Sequence, residues 1–240
     1  NVSQIVLGDE RLTVVACWRP FETAQIHRVQ SCESTNDALL NLKTTIQGTL
    51  LSTENQFSGR GYAGRDWFNS PDGFMGSWLL AKNSIERGPE VIQLAATVAV
   101  LDSFSILLDH GLPSHSWIHG SCLEECGFRV KWPNDIWLRT PTRMGKLCGI
   151  LVEGRTQGDD VQIVLGIGIN KTSVEKFADS IGWDQFFQGA FEDILPIIHA
   201  SVASALEIHP LVPDVPRGDV LSSIYSAMRS TLSEGFPRAF

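Results

Sequence analysis

The stretch KLCGILVEGRTQGDDVQIVLGIGIN, residues 146–170, contains two apolar runs, 147–152 and 161–169, separated by a polar segment. A similar run, FRVKW, lies upstream at residues 128–132. Short runs this rich in Val, Ile and Leu are typical of strands buried in a sheet. The three runs therefore predict three buried strands.

The chain before these runs carries both strand and helix signals. Four further strands are predicted at residues 11–17, 25–30, 49–54 and 73–81. Ser34 or Thr35 is typical of a helix N-cap and predicts a helix over residues 36–42. The longest helical pattern covers residues 89–108 and has Pro89 in its first turn.

Beyond residue 170 the sequence becomes helical, with patterns at residues 194–208 and 220–232 and a proline-rich segment at 210–216. Strands and helices are mixed without a regular βαβ alternation. This mixture indicates the α+β class, in which helices cover a mixed β-sheet. The predicted organisation is N-terminal strands at 1–30, a core at 31–209 and a helical tail at 210–240.

Composition argues against several classes of function. The 240-residue chain is 43% hydrophobic and has a formal net charge of −8, which disfavours sequence-independent binding of nucleic acid. It has no uninterrupted apolar run of about 18 residues, the order of length that a membrane span needs. Residues 1–10 lack the pattern of a signal peptide. We expect a cytoplasmic protein that binds neither nucleic acid nor a membrane.

The chain has five cysteines, and this odd number favours reduced intracellular thiols over a disulfide framework. His115, His119, Cys122 and Cys126 place four potential zinc ligands close together. Their spacing does not match that of zinc fingers. A surface insertion between a helix and a strand is therefore favoured over a metal site.

The glycine-rich segment GRGYAG, residues 59–64, matches the dinucleotide-binding pattern G-x-G-x-x-G. That pattern requires a helix to start within the glycines, whereas DWFNSP, which follows Arg65, does not begin a helix. The Walker pattern also fails, because Gly64 is not followed by Lys and Ser or Thr. Free backbone N–H groups with Arg60 and Arg65 suit phosphate or carboxylate. A solvent-exposed turn is an equally good interpretation of the loop alone.

Three more segments carry polar residues at the ends of predicted strands: KWPND at 131–135, KLCGILVE at 146–153 and GIGIN at 166–170. Lys131 and Lys146 join the two loop arginines as a cationic set in an acidic chain. Such a set favours a compact anion, for example a nucleoside triphosphate, over a charged polymer. Simple solvent exposure is the alternative for both lysines.

These motifs, together with STN at residues 34–36, Gln56 and Trp67, resemble the biotin–protein ligases in order and approximate spacing over residues 31–170. The resemblance implies a catalytic domain like that of class II aminoacyl-tRNA synthetases and lipoate ligases. It also implies two half-reactions. Biotin and ATP would form biotinyl-5′-AMP, and a lysine of a biotin carboxyl carrier domain would then take the biotinyl group. ATP and Mg²⁺ are the implied cofactors, carboxylases carrying that domain are the implied partners, and a homodimer is a further expectation.

The resemblance also implies roles for individual residues. Lys146 would bridge the biotin carboxylate and the α-phosphate, and Asp135 would bind Mg²⁺ with Asn134 or orient the incoming lysine. Catalysis is assigned to Lys146, Arg60 and Asp135. The residues implied for biotin are Ser34, Thr35, Gln56, Gly59, Arg60, Lys146 and Gly149. The residues implied for ATP are Arg60, Gly61, Arg65, Trp67, Lys131, Asn134 and Asn170.

Two alternatives stay open: a lipoate or octanoate ligase, and a non-catalytic pseudo-ligase that binds biotin or its adenylate. The arginine-containing loop and KWPND favour biotin over lipoate, and Lys146 argues against a pure binder. Tyr62 and Ala63 stand where many bacterial family members have basic residues, and we expect Tyr62 to pack over the ligand. The sequence shows no signal for the family's small C-terminal β-barrel or N-terminal helix-turn-helix, so we expect no repressor activity.

Overall fold

The computed structural model describes residues 4–7, 10–21, 24–41, 48–80, 88–110, 123–158 and 160–206. The predicted helix at 220–232, the proline-rich segment at 210–216 and the predicted tail at 210–240 lie outside these ranges. So do His115, His119 and Cys122, and the surface insertion predicted for that segment stays a prediction. Cys126 itself is buried.

A nine-stranded sheet forms the centre of the described fold. Its strands are β1 (Gln4–Leu7), β2 (Glu10–Phe21), β3 (Ala24–Cys32), β4 (Leu50–Gln56), β5 (Phe74–Leu79), β6 (Phe128–Lys131), β7 (Asp135–Arg139), β8 (Met144–Gln157) and β9 (Asp160–Ile169). They lie in the order β1-β2-β3-β4-β5-β9-β8-β7-β6. The β3–β4 pair is parallel and the other neighbouring pairs are antiparallel. All seven predicted strands are present, and the predicted α+β fold with a mixed sheet is confirmed.

Strands β1 and β7 are missing from the sequence prediction. The apolar signal for β7 is only the Ile-Trp-Leu run at 136–138, which is short because Asp135 and Arg139 flank it. β7 pairs with β6 in an antiparallel register that places Lys131 opposite Asp135. The hairpin therefore brings the two ends of the KWPND segment together.

Three α-helices accompany the sheet in the described ranges: α1 (Thr35–Leu40), α2 (Pro89–His110) and α3 (Phe191–Ala205). Ser34 is the N-cap of α1, where its Oγ accepts a hydrogen bond from the Asp37 N–H at 3.4 Å, as the cap prediction requires. α3 begins earlier than predicted. Its first turn contains Glu192 and Asp193, and carboxylates there interact favourably with the helix dipole.

The two faces of the sheet bury different groups. On β9 the odd-numbered residues 163–169 pack into a large core with α2 and α3, whereas Val164 joins a smaller cluster that includes α1. Side chains alternate between the two faces along a strand. Gly166 and Gly168 therefore share the face of Val164. Two glycines on one face leave the space above the strand open, and a cleft lies there.

Helix α2 meets the length and composition criteria for a membrane span, with a mean hydropathy of 2.0 over Pro89–Leu108. Half of that segment is buried in the structure, and α2 packs against α3 and β8. Ile92, Ala96 and Phe104 are fully buried on its inner face. In the described fold α2 is thus a helix of the core.

Asp102 lies on α2, and burial raises the pKa of its carboxyl to about 6, from an ordinary value of 3.8. The folded state therefore holds this proton more tightly than the unfolded chain does, and stability falls as pH rises from about 4 to about 6. We expect Asp102→Asn to remove this fall and to increase the free energy of unfolding at neutral pH. Urea unfolding on both sides of this pH window measures it. Glu90→Gln, an exposed carboxylate on the same helix, is the control, and an unaltered pH dependence in Asp102→Asn would refute the assignment.

Candidate active site

A cleft opens on the α1 face of the sheet, between the start of α1, the glycine-rich loop and strands β5, β8 and β9. Nine residues predicted for the site line it: Ser34, Thr35, Gln56, Arg60, Gly61, Trp67, Asn134, Lys146 and Gly149. Motifs that are far apart in the sequence therefore meet in one cleft.

Three other predicted residues support the lining from outside. Asp135 pairs with Lys146, and Asn170 Nδ2 donates a hydrogen bond to the Lys146 carbonyl at 3.2 Å. A Cβ on Gly59 would lie 2.5 Å from Gln56 Nε2, so a glycine at this position lets the loop approach Gln56 closely.

Arg65 and Lys131, which were predicted to bind ATP, do not line the cleft. Arg65 Nε donates to the Tyr62 carbonyl at 3.1 Å, and its side chain is exposed. The Lys131 ammonium lies 5.1 Å from the centre of the Trp137 ring, and burial lowers the pKa of Lys131. Their contacts with a nucleotide stay predictions.

The Lys146 ammonium lies 2.7 Å from Asp135 Oδ1, and the two side chains are only 16% and 6% exposed. The Lys146 carbonyl accepts hydrogen bonds from Ile181 N–H at 3.0 Å and from Asn170 Nδ2. Both the backbone and the ammonium of this lysine are held in place. Its positive charge is therefore positioned at the cleft before any ligand arrives.

The prediction that Asp135 binds Mg²⁺ meets a competing contact, because its carboxylate already faces the Lys146 ammonium. Across the described ranges, no group of three or more His, Cys, Asp or Glu side chains could hold a metal ion. Proteins bind Mg²⁺ through few carboxylates together with phosphates and waters. The pairing shows that Asp135 positions Lys146, and the binding of Mg²⁺ by Asp135 stays a prediction.

The glycine-rich loop folds back on itself as a short flap. Gly61 N–H donates to the Arg65 carbonyl at 2.6 Å, and Trp67 N–H donates to the Gly59 carbonyl at 2.8 Å. A 3₁₀ turn at Tyr62–Gly64 forms its tip, and no α-helix starts within the glycines. This geometry agrees with the rejection of a dinucleotide-binding loop.

Arg60 is held by carboxylates from two elements. Its Nη2 lies 2.7 Å from Asp37 Oδ1 and 3.0 Å from Glu153 Oε2, and its Nη1 contacts Asp37 Oδ2. Hydrogen bonding to Asp37 is the largest cause of the raised pKa of Arg60. The guanidinium predicted to hold a substrate anion is therefore paired with protein carboxylates in this structure.

A substrate anion must compete with Asp37 for Arg60, because the Arg60 guanidinium already donates hydrogen bonds to the Asp37 carboxylate. We expect Asp37→Asn to tighten the binding of inorganic pyrophosphate by about two- to fivefold, the size appropriate to a partly exposed ion pair. Isothermal titration calorimetry measures this effect. Asp72→Asn, which removes an exposed carboxylate paired with Lys171, is the matched control. Equal or weaker binding by Asp37→Asn would show that Asp37 does not compete.

The indole of Trp67 forms the cleft wall beside Lys146, whose ammonium is 5.2 Å from the ring centre. A Cβ would lie 2.5 Å from the indole on Gly168 and 2.7 Å on Gly149. Trp67 Nε1 is buried and has no hydrogen-bond partner among the described residues. A side chain at Gly149 or Gly168 would clash with the indole, so glycine at both positions allows the ring to lie against the sheet.

Three polar residues at the cleft received no role from the sequence: Asn36 and Glu153, which line it, and Ser77, which is buried beneath the lining. Asn36 and Ser77 are 5% and 0% exposed. The side-chain amide of Asn36 accepts a hydrogen bond from Ser77 Oγ and donates one to Glu153. A serine inside the apolar strand at 73–81 was the available signal for Ser77. Buried polar groups in such positions need hydrogen-bond partners, which here lie under the cleft.

The fold is that of the biotin protein ligases. The structure of biotin protein ligase from Aquifex aeolicus in complex with biotin and ATP aligns with a TM-score of 0.63 at 21% identity, covering 87% of this chain and 79% of that one. The biotin protein ligase from Leishmania major in complex with biotin aligns with a TM-score of 0.63 at 20% identity, covering 90% and 84%. At these identities the likeness establishes the fold.

Residues 26–170 match the sequence model of the biotin/lipoate A/B protein ligase family, and the chain belongs to that family. The biotin–[acetyl-CoA-carboxylase] ligase of Mycobacterium tuberculosis is 31% identical over 186 residues, covering 72% of this chain and 57% of that protein. The bifunctional ligase/repressor BirA of Escherichia coli is 36% identical over 156 residues, covering 63% and 42%. The chain spans about half the length of the curated relatives it matches.

Proposed function

We propose that this chain activates biotin with ATP to form biotinyl-5′-AMP and transfers the biotinyl group to a lysine of a biotin carboxyl carrier domain. The observation that carries the proposal is the Lys146 ammonium, held by Asp135 at a cleft that also contains buried hydroxyl and amide groups. Membership of the family supports it, as do relatives named as biotin ligases and a similar fold solved with biotin and ATP.

In the first step, an oxygen of the biotin carboxylate forms a bond to the α-phosphorus of ATP. The bond from that phosphorus to the oxygen bridging to the β-phosphate breaks, and pyrophosphate leaves. Both reactants are anions, so a fixed positive charge at the reacting atoms lowers the barrier. Lys146 supplies that charge, and Arg60 adds a second one when it exchanges Asp37 for the substrate.

In the second step, the neutral amine of the acceptor lysine attacks the acyl carbon of biotinyl-5′-AMP. The C–N bond forms, the C–O bond to AMP breaks, and the amine proton passes to solvent. AMP leaves with additional negative charge on its phosphate. The Lys146 ammonium stabilises this charge through the same position that it holds in the first step.

Gln56 and Thr35 favour biotin over lipoate. Gln56 Oε1 accepts from the Thr35 N–H at 2.9 Å, which leaves the Nε2 donors of Gln56 for other partners. The ureido ring of biotin offers a carbonyl acceptor and N–H donors, whereas the dithiolane ring of lipoate offers neither. A site with buried polar groups rejects a ligand that leaves them unpaired.

The proposed function is tested by exchange of labelled pyrophosphate into ATP, with biotin and lipoate compared as substrates. We expect exchange that depends on biotin. Exchange with lipoate alone would transfer the protein to a lipoate-activating role. Saturable biotin binding without any exchange would identify a pseudo-ligase.

Tyr62 lines the cleft from the flap and is 54% exposed. We expect its ring to cover the adenylate, so that Tyr62→Gly increases the rate of biotinyl-5′-AMP release by about tenfold, the effect of losing a modest apolar contact. Stopped-flow release of the adenylate measures this rate. Phe68→Gly, an exposed aromatic residue outside the lining, is the control. An unchanged release rate for Tyr62→Gly would show that the ring does not retain the ligand.

A further inference from the structure

We propose that Glu153, Asn36 and Ser77 form a hydrogen-bonded relay that turns the hydroxyl proton of Thr35 away from the cleft. Thr35 then presents only lone pairs to a ligand, and the cleft selects ligands that offer an N–H donor there. The inference rests on the proposed function and assigns three positioning residues to it.

The relay joins three elements at the cleft, namely α1, β5 and β8. Asn36 Nδ2 donates to Glu153 Oε2 at 2.7 Å. Ser77 Oγ lies 2.6 Å from Asn36 Oδ1 and 2.7 Å from Thr35 Oγ1. Ser77 is completely buried, and Thr35 and Asn36 are each 5% exposed. Water therefore has little access to the two contacts of Ser77, whereas the Glu153 side chain is 27% exposed.

The proton order follows from the acceptor at one end. The Glu153 carboxylate, beside the Arg60 guanidinium, accepts hydrogen bonds and so faces the amide nitrogen of Asn36. Asn36 Oδ1 then points at Ser77, and a carbonyl oxygen only accepts. Ser77 must donate its single proton to Asn36.

Because the Ser77 proton is used, the 2.7 Å contact with Thr35 requires Thr35 to donate. The other acceptor near Thr35 Oγ1 is Gln56 Oε1, at 3.2 Å. Whether Thr35 donates to Ser77 or to Gln56, its hydroxyl proton is directed at a protein atom and not at the ligand. The lone pairs of Thr35, which lines the cleft, are then left for the ligand.

Gly166 on β9 makes room for the relay. A Cβ at this position would lie 2.5 Å from Asn36 Oδ1, where it would displace the amide from Ser77. The close approach of a strand backbone to a buried side chain is a common reason for glycine within a strand. Glycine at position 166 therefore allows the contact between Asn36 and Ser77 to form.

A double-mutant cycle tests the relay through the affinity for biotin. We expect Ser77→Ala and Thr35→Val each to weaken biotin binding by about tenfold, the size of one lost hydrogen bond. The double variant should bind biotin no more weakly than Thr35→Val, because Ser77 acts through the Thr35 hydroxyl. Affinity for ATP should be unchanged in all three variants.

The matched control is Ser103→Ala, which removes a fully buried hydroxyl that donates to the Ala99 carbonyl on α2 at 2.8 Å. Circular dichroism establishes that each variant is folded. Losses that multiply in the double variant, or normal biotin binding by Ser77→Ala, would overturn the relay while leaving the proposed function intact. Failure of the wild-type protein to bind biotin would overturn the function and the relay together.

Discussion

Lys146→Met is expected to lower biotin-dependent pyrophosphate exchange by at least about 100-fold, the scale on which removal of one preorganised electrostatic group acts. Methionine keeps the apolar stem, which packs near Gly149, and removes only the charge and its hydrogen bonds. Biotin and ATP binding should change much less, because the ammonium acts at the reacting atoms. Exchange measured at saturating substrate separates the two effects.

The loss of Lys146 also leaves Asp135 buried without its partner, which carries a cost of about 3–5 kcal/mol in stability. The variant Lys146→Met/Asp135→Asn removes that charge and should recover stability without recovering exchange. Lys171→Met, which breaks a surface ion pair with Asp72, is the control for lysine loss. Near-normal exchange by Lys146→Met would refute the role of this ammonium.

Gly168→Ala is expected to destabilise the fold by about 1–3 kcal/mol, the usual effect of adding volume to a packed site. The added Cβ would lie 2.5 Å from the Trp67 indole, so the ring must move away from the sheet. For a chain of this size the melting temperature should fall by roughly 2–10 °C. A red shift in tryptophan emission should accompany the fall, because the displaced ring meets more water.

The control for this substitution is Gly154→Ala on the adjacent strand β8. A Cβ there would lie 3.4 Å from its nearest neighbour, the Gln162 carbonyl, which is an ordinary contact. Its melting temperature and emission should stay close to those of the wild type. Equal behaviour of Gly168→Ala and Gly154→Ala would show that the glycine at 168 is not required by the indole.

Local patterns predicted much of the fold and of the cleft lining. Apolar runs located seven strands, and the cap at Ser34 and the glycine-rich loop lie where the motifs placed them. These features depend on neighbouring residues, which the sequence displays directly. β7 was not predicted, because its apolar run between two polar residues is too short to indicate a strand.

Pairings between distant residues could not be predicted in the same way. Arg60 meets Asp37 and Glu153 only because α1 and β8 converge behind the flap. Asp135 meets Lys146 through the β7–β8 hairpin, whose register shifts between Ile136 and Trp137. Motif spacing identifies such residues as candidates, whereas strand order and register decide which of them touch. The contact between Asp135 and Lys146, which the motifs did not predict, has this origin.

Adenylation at this site is tested most directly by incubation of the wild-type protein with biotin and ATP in the absence of a carrier domain, followed by mass spectrometry of the bound products. We expect biotinyl-5′-AMP on the protein and an equal amount of pyrophosphate in solution, and neither product with Lys146→Met. Biotin recovered unchanged, with no pyrophosphate released by a protein that binds both substrates, would contradict adenylation as the function of this site.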